Sequence, residues 1–115
     1  MHELSIALSM IEMASEESVR RGNARVLALH LKLGPLSGVV KEALLFSYDI
    51  ACEGTALAGS RLVVEDVPVT IYCAVCDAEC NPPSIQQISC SKCGTPSEEI
   101  RQGRELLVTA LELDG

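Results

Sequence analysis

Leu4, Ala7, Leu8, Ile11 and Ala14 recur at helical spacing, and Ser15 and Ser18 continue the stripe, with Glu12, Glu16, Glu17, Arg20 and Arg21 opposite. The pattern predicts an amphipathic helix that ends near Arg21, where Gly22 supplies a left-handed stop. Glu16 with Arg20 and Glu17 with Arg21 add favourably oriented pairs four residues apart. From Arg25 to Leu33 the period falls to two. Leu27, Leu29, Leu31 and Leu33 point one way and Val26, Ala28, His30 and Lys32 the other, which predicts a strand with one face in the core. "GPLSG" at 34–38 interrupts it. A second helix is expected over roughly Val40 to Cys52, with Leu44, Leu45, Tyr48, Ala51 and Cys52 along its apolar side. "RLVVEDVPV" reads as a second strand, ended or confined to a sheet edge by Pro68, and "ELLVTALEL" as a third.

Strand, helix, strand implies a right-handed crossover with the two strands parallel. The expected fold class is α+β, with two helices on one face of a small three-stranded mixed sheet. His30 and Lys32 then lie on the uncovered face, and His30 reads as a solvated or interface residue rather than a ligand. Between the second and third strands the composition changes: five of the six cysteines, four of them in two CxxC pairs, gather there with Pro82, Pro83 and Pro96, and large apolar residues are too few to offset the ordering entropy. The expected organisation is residues 1–71 plus 105–115 as one α/β domain and 72–104 as an inserted zinc-ribbon-like module.

Composition narrows the function. The 115 residues are 48% apolar, enough for one packed domain with a small satellite. A formal charge of -7, only three aromatics (Phe46, Tyr48 and Tyr72) and no basic cluster argue against a nucleic-acid partner. No apolar run approaches the roughly 20 residues of a membrane helix, and no basic flank precedes a hydrophobic signal region. A cytoplasmic protein is expected, and its reducing surroundings favour metal ligation or free thiols over disulfides.

"CAVC" and "SCSKCG" place Cys73 and Cys76, then Cys90 and Cys93, as two knuckles separated by thirteen residues (77–89). The two-residue gap lets both thiolates of a knuckle reach one ion, and two knuckles complete the tetrahedral sulfur set that zinc prefers. Four protein ligands leave no open position, so such a Zn(II) is structural rather than catalytic. A redox dithiol is the competing reading of a CxxC pair. Cys52 reads as a packed apolar residue. Cys80, four residues beyond Cys76, reads as a loop thiol, with substitution as a ligand left open.

"MHELSIA", "GPLSG", the "CAVC" and "CSKCG" pairs and "GRELLVTALEL" together resemble the HypA/HybF family of nickel metallochaperones for hydrogenase maturation, over essentially the whole chain and in the same order. The resemblance implies that Met1, His2 and Glu3 bind Ni(II) as transported cargo and that Cys73, Cys76, Cys90 and Cys93 hold zinc. It also implies two partners, a hydrogenase large-subunit precursor and a nickel-handling GTPase. Ser91 stands where Pro more usually follows the first cysteine of the second knuckle, which removes a rigid turn element but no ligand.

Donor chemistry agrees with the resemblance. A free amine, the His2 backbone nitrogen and its imidazole can form fused chelate rings, with the Glu3 nitrogen or carboxylate as a further donor, and such planar nitrogen-rich ligation suits Ni(II) or Cu(II) better than zinc. Amides at a helix start have no intrahelical acceptor, so metallating them leaves the ladder intact. The helix dipole opposes a cation there, and Glu3 offsets that field. No phosphate-cradling loop is present, so nucleotide hydrolysis belongs to a partner and the chain itself is not an enzyme. The alternative is a zinc-ribbon interaction adaptor without nickel cargo. Monomer, homodimer and domain-swapped forms all remain open.

Overall fold

In the computed structural model, which describes residues 2–114, the elements run α1 (Glu3–Arg20), β1 (Val26–Leu33), a 3-10 turn (Pro35–Ser37), α2 (Lys41–Cys52), β2 (Arg61–Asp66), β3 (Thr70–Cys73), β4 (Ala78–Cys80), β5 (Ile100–Gln102) and β6 (Leu106–Leu113). Met1, expected to provide the terminal amine, lies outside the described residues. The chain divides into two compact units. One comprises the chain up to Leu31, Val39–Glu65 and the chain from Leu107; the other comprises Lys32–Gly38 and Asp66–Leu106.

In the first unit α1 buries Ala7, Met10, Ile11, Ala14 and Ser18. Met10 therefore joins the core, while Leu4 and Leu8 are about half exposed, contrary to the expected stripe. The reason is angular: positions 7, 10, 11, 14 and 18 close one helical face, and 4 and 8 fall to its flank. At the C-terminus Gly22 takes φ +75°, and the Ala24 N–H returns to the Ser18 carbonyl at 3.2 Å, while the buried Ser18 hydroxyl donates to the Ala24 carbonyl. The left-handed stop at Gly22 is thus present.

Helix α2 buries Leu44, Tyr48 and Cys52, one residue per turn, and these join Ala7, Met10, Ile11, Ala14, Val26, Leu29, Leu31 and Leu57 in a single apolar cluster. Both helices contribute to this cluster together with β1, as the α+β expectation requires. Tyr48 is fully buried, and its hydroxyl meets the Ser60 hydroxyl at 2.7 Å; burial pushes its pKa up to about 12.

The first sheet has the order β2–β1–β6. The Val67 N–H donates to the Leu33 carbonyl at 2.9 Å, joining the C-terminal ends of β2 and β1, so these strands run parallel with α2 as the crossover. The Asp114 N–H donates to the Arg25 carbonyl at 2.9 Å, and the Thr109 hydroxyl reaches the His30 carbonyl at 3.5 Å, so β6 runs antiparallel to β1. The sheet is mixed. Its alternation departs from expectation at one end: Leu27 is 40% exposed, whereas Val26 and Ala28 are fully buried. Val26 and Leu29 enter the same cluster although three residues apart, a spacing that strict alternation does not give.

In the second unit β3 is central to a sheet of order β4–β3–β5, antiparallel on both sides, with Ile71 opposite Cys80, Tyr72 opposite Glu79 and Cys73 opposite Ala78. Cys80 thus sits in a strand rather than a loop. The "GPLSG" turn belongs to this unit. The Gly34 N–H donates to the Glu105 carbonyl at 2.9 Å and the Leu36 N–H to the Gly103 carbonyl at 2.8 Å. A Cβ at Gly34 would stand 2.1 Å from the Gly103 carbonyl oxygen, so this backbone approach requires glycine.

Candidate metal centres

Strand β3 delivers Cys73 at its last residue, and the turn that follows carries Cys76 back beside it, with Asp77 at φ +50° closing the knuckle. The Tyr72 hydroxyl donates to the Asp77 carboxylate. The Arg101 guanidinium lies 4.7 Å from the Tyr72 ring centroid and bridges Glu79 on β4 at 3.2 Å and neighbouring Glu99 at 2.5 Å, so one cation links the three strands that carry the knuckle. In the second knuckle Gly94 takes φ +76° and its N–H returns to the Cys90 carbonyl at 2.9 Å, while the Cys90 N–H donates to the Thr95 carbonyl at 2.8 Å.

These turns bring the sulfurs of Cys73, Cys76, Cys90 and Cys93 within 4.8 Å of one another. Cys73 Sγ lies 3.6 Å from Cys93 Sγ, and Cys76 Sγ 3.9 Å from Cys90 Sγ. A disulfide would need about 2.05 Å. A tetrahedron of thiolates about 2.3 Å from a zinc ion has sulfur–sulfur edges of about 3.8 Å, so the donor set fits that ion in both chemistry and size. Cys73 and Cys90 are buried, Cys76 and Cys93 exposed. Cys80 is not part of this group, and Cys52 is buried against the Ser60 hydroxyl at 3.8 Å with its thiol pKa raised by that burial.

The thiols are not electrostatically equivalent. Backbone N–H groups of Cys93 and Lys92 stabilise the Cys90 thiolate and bring its pKa down to about 6. The Thr95 hydroxyl, 3.1 Å from the Cys93 sulfur, lowers that thiol as well. Cys76 is pushed up to about 12, first by its hydrogen bond to Cys93 and then by that to Cys90, which hold the proton on its sulfur. A bound dication would displace that proton. Thr95 and Arg101 escaped the sequence reading, since neither belongs to a ligand-spacing pattern.

At the other end, His2 is exposed and immediately precedes α1; its carbonyl accepts the Ile6 N–H at 3.1 Å, while its imidazole makes no capping hydrogen bond. Glu3 is already engaged: its carboxylate accepts the Val40 N–H at 3.1 Å, and that bond is the first cause holding it below the usual carboxylate range. His30 is not simply solvated. Its Nε2 lies 2.6 Å from the Glu112 carboxylate, which Arg61 also approaches at 3.8 Å.

The family model for HypA, described as hydrogenase/urease nickel incorporation, metallochaperone, matches residues 1–113. The chain is 46% identical over 114 residues to the hydrogenase maturation factor HypA of Roseiflexus sp. (strain RS-1), covering 99% of this chain and 93% of that one. It is likewise 46% identical over 112 residues to the HypA of Chloroflexus aurantiacus (strain ATCC 29366 / DSM 635 / J-10-fl), covering 97% and 98%. The solution structure of the Ni metallochaperone HypA from Helicobacter pylori shares the fold, with a TM-score of 0.64 at 24% identity over 98% of this chain and 97% of that one. A second HypA solution structure gives 0.71 at 23% identity, over 98% and 96%. The family consists of metallochaperones and not enzymes, and its members serve hydrogenase maturation. With its full-length match and a four-cysteine group sized for a metal ion, the chain belongs to the HypA family of hydrogenase/urease nickel-incorporation metallochaperones.

Proposed function

We propose that this protein binds Ni(II) through Met1, His2 and Glu3 and delivers it during maturation of a nickel–iron hydrogenase, while Cys73, Cys76, Cys90 and Cys93 hold a structural Zn(II). The observation that carries the nickel reading is the position of His2: exposed, one residue ahead of α1, with an imidazole uncommitted to helix capping. The leading amides of α1 lack intrahelical acceptors and are available as nitrogen donors. Because the Glu3 carboxylate accepts the Val40 amide, the Glu3 backbone nitrogen is the better placed of its two donors. Zinc bound by four thiolates would supply folding energy to the second unit and no reactive position.

The receiving partner in this reading is a hydrogenase large-subunit precursor, and a nickel-handling GTPase supplies the nucleotide chemistry, all in the cytoplasm. Among the described residues no helix is long and apolar enough to cross a membrane. The test is a calorimetric Ni(II) titration of untagged, zinc-loaded protein beside His2→Ala. Loss of the stoichiometric nickel site in the variant, with zinc content and fold retained, is the expected result. Equal binding by both proteins would overturn it and leave a zinc-ribbon adaptor as the better description.

A further inference from the structure

Helix α2 has two contrasting sides. Leu44, Tyr48 and Cys52 enter the core, whereas Glu42, Phe46, Asp49 and Ile50 follow the i, i+4, i+7, i+8 rhythm of the opposite face, with Glu53 beyond them at the C-terminal cap. All five are exposed, Phe46 at 68% and Ile50 at 48%. Phe46 is the only phenylalanine of the chain, and it stands in water while Tyr48, two residues on, is fully buried. The acids of this face work against the helix itself. Asp49 and Glu53 stand at the negative end of its dipole, four residues apart so that they repel, and no base lies in the last turn. None of Glu42, Asp49 and Glu53 forms an ion pair with a described residue. The bases of the same compact unit are placed elsewhere. Arg20 and Arg21 lie 2.6 and 3.0 Å from Glu17, Arg61 lies 3.8 Å from Glu112, Arg25 is beside Gly59, and Lys41 is at the first residue of the helix, the far end from Asp49 and Glu53.

We propose that the outer face of α2 docks a basic amphipathic helix of another protein, whose apolar stripe covers Phe46 and Ile50 and whose Lys or Arg residues meet Glu42, Asp49 and Glu53. Apolar anchors one turn apart are what a packed helix pair needs, and an aromatic anchor supplies much of the affinity of such contacts. The charge pattern selects the occupant. A cationic helix relieves the repulsion between Asp49 and Glu53 and supplies the positive charge that the C-terminal end of α2 lacks. A second copy docking by the same face would bring three acids against three, and an anionic lipid surface would be repelled in the same way. Neither metal centre enters this contact, so it stands or falls apart from the nickel reading.

The experiment titrates the zinc-loaded full chain, isotope-labelled for NMR, with the capped helical peptide Leu-Lys-Lys-Leu-Leu-Lys-Leu-Leu-Lys-Lys-Leu-Leu-Lys-Leu. Amide shifts concentrated on 41–53 and movement of the Phe46 ring signals are expected. A peptide of the same composition with Leu and Lys in strict alternation, which cannot present an apolar helical stripe, should bind more weakly and without that localisation. Phe46→Ser changes an exposed position and should weaken binding about tenfold, as the loss of one aromatic anchor implies. Asp49→Lys and Glu53→Lys should each weaken it about two- to fivefold and together favour a peptide with Glu in place of Lys. Unchanged Leu44 and Tyr48 signals report an intact core in each variant. Equal affinity of the Phe46→Ser variant, or shifts spread over acids elsewhere instead of α2, would overturn the proposal by reducing the contact to charge alone. Shifts on α2 that grow with protein concentration in the absence of peptide would also overturn it, in favour of a second copy as the occupant.

Discussion

The Glu3 carboxylate accepts a hydrogen bond from the Val40 N–H at 3.1 Å, tying the first residue of α1 to the residue that precedes α2. The amide lies at the positive end of the α2 dipole, which favours the charged carboxylate there. Glu3 therefore titrates below the usual carboxylate range. Its contribution to stability is present at neutral pH and is lost as pH falls through that lowered value. In an NMR titration the Val40 amide should move with the Glu3 carboxyl, below the range of the other exposed carboxylates, and Glu3→Gln should abolish the movement. A Glu3 midpoint in the ordinary range would contradict the tie.

Tyr48 and Tyr72 are the only two tyrosines, and both are raised, Tyr48 to about 12 by burial and Tyr72 by its hydrogen bond to Asp77. An absorbance titration of the folded protein should show no tyrosinate step at the ordinary phenol value near 10. Between that value and about 12 the unfolded chain releases the Tyr48 proton while the folded chain keeps it, so stability falls as pH rises across this window. Tyr48→Phe removes the pairing with Ser60 and should cost about 1 kcal/mol in chemical denaturation.

Gly34→Ala places a methyl 2.1 Å from the Gly103 carbonyl oxygen, where backbone rather than a flexible side chain must yield. A loss of about 1–3 kcal/mol is expected, or failure of the turn to close. Gly38→Ala is the comparison: its φ of +81° is strained for alanine, but no atom lies within 4 Å of the new Cβ, so about 1–2 kcal/mol is expected from conformation alone. Equal effects on the Leu36 amide, read by hydrogen exchange, would remove the close approach as the cause.

If zinc occupies the four-cysteine group, chelation should release one ion per chain and strip exchange protection from β3, β4 and β5 while Leu29, Leu44 and Tyr48 stay packed. Cys90→Ser should lower zinc content and the melting of the second unit in parallel. Retention of β3–β5 protection after chelation would mean that the strands stand without the ion.

The helices were legible because Leu44, Tyr48 and Cys52, like Ala7, Ile11 and Ala14, repeat with the period of the structure they form. The cysteine spacing was legible for a related reason, since two residues between thiols leave few alternatives to a shared ion. The entry of both Val26 and Leu29 into one cluster was not, because every residue from Val26 to Leu29 is apolar and polarity marks neither side. Strands β3, β4 and β5, of four, three and three residues, are too short to display an alternation. Partnerships such as His30 with Glu112, 82 residues apart, or Glu3 with Val40 depend on folding that no local pattern encodes.

The turn at Gly34–Ser37 donates its Gly34 and Leu36 amides to Glu105 and Gly103, although some thirty residues including α2 and β2 intervene before the chain returns at Asp66. The cysteine-bearing unit is therefore not a single ribbon of sequence. A transplant copied from 66–106 alone would arrive with the Glu105 and Gly103 carbonyls stripped of these partners, so grafting it onto another scaffold requires that scaffold to present a "GPLSG"-like turn at the same place.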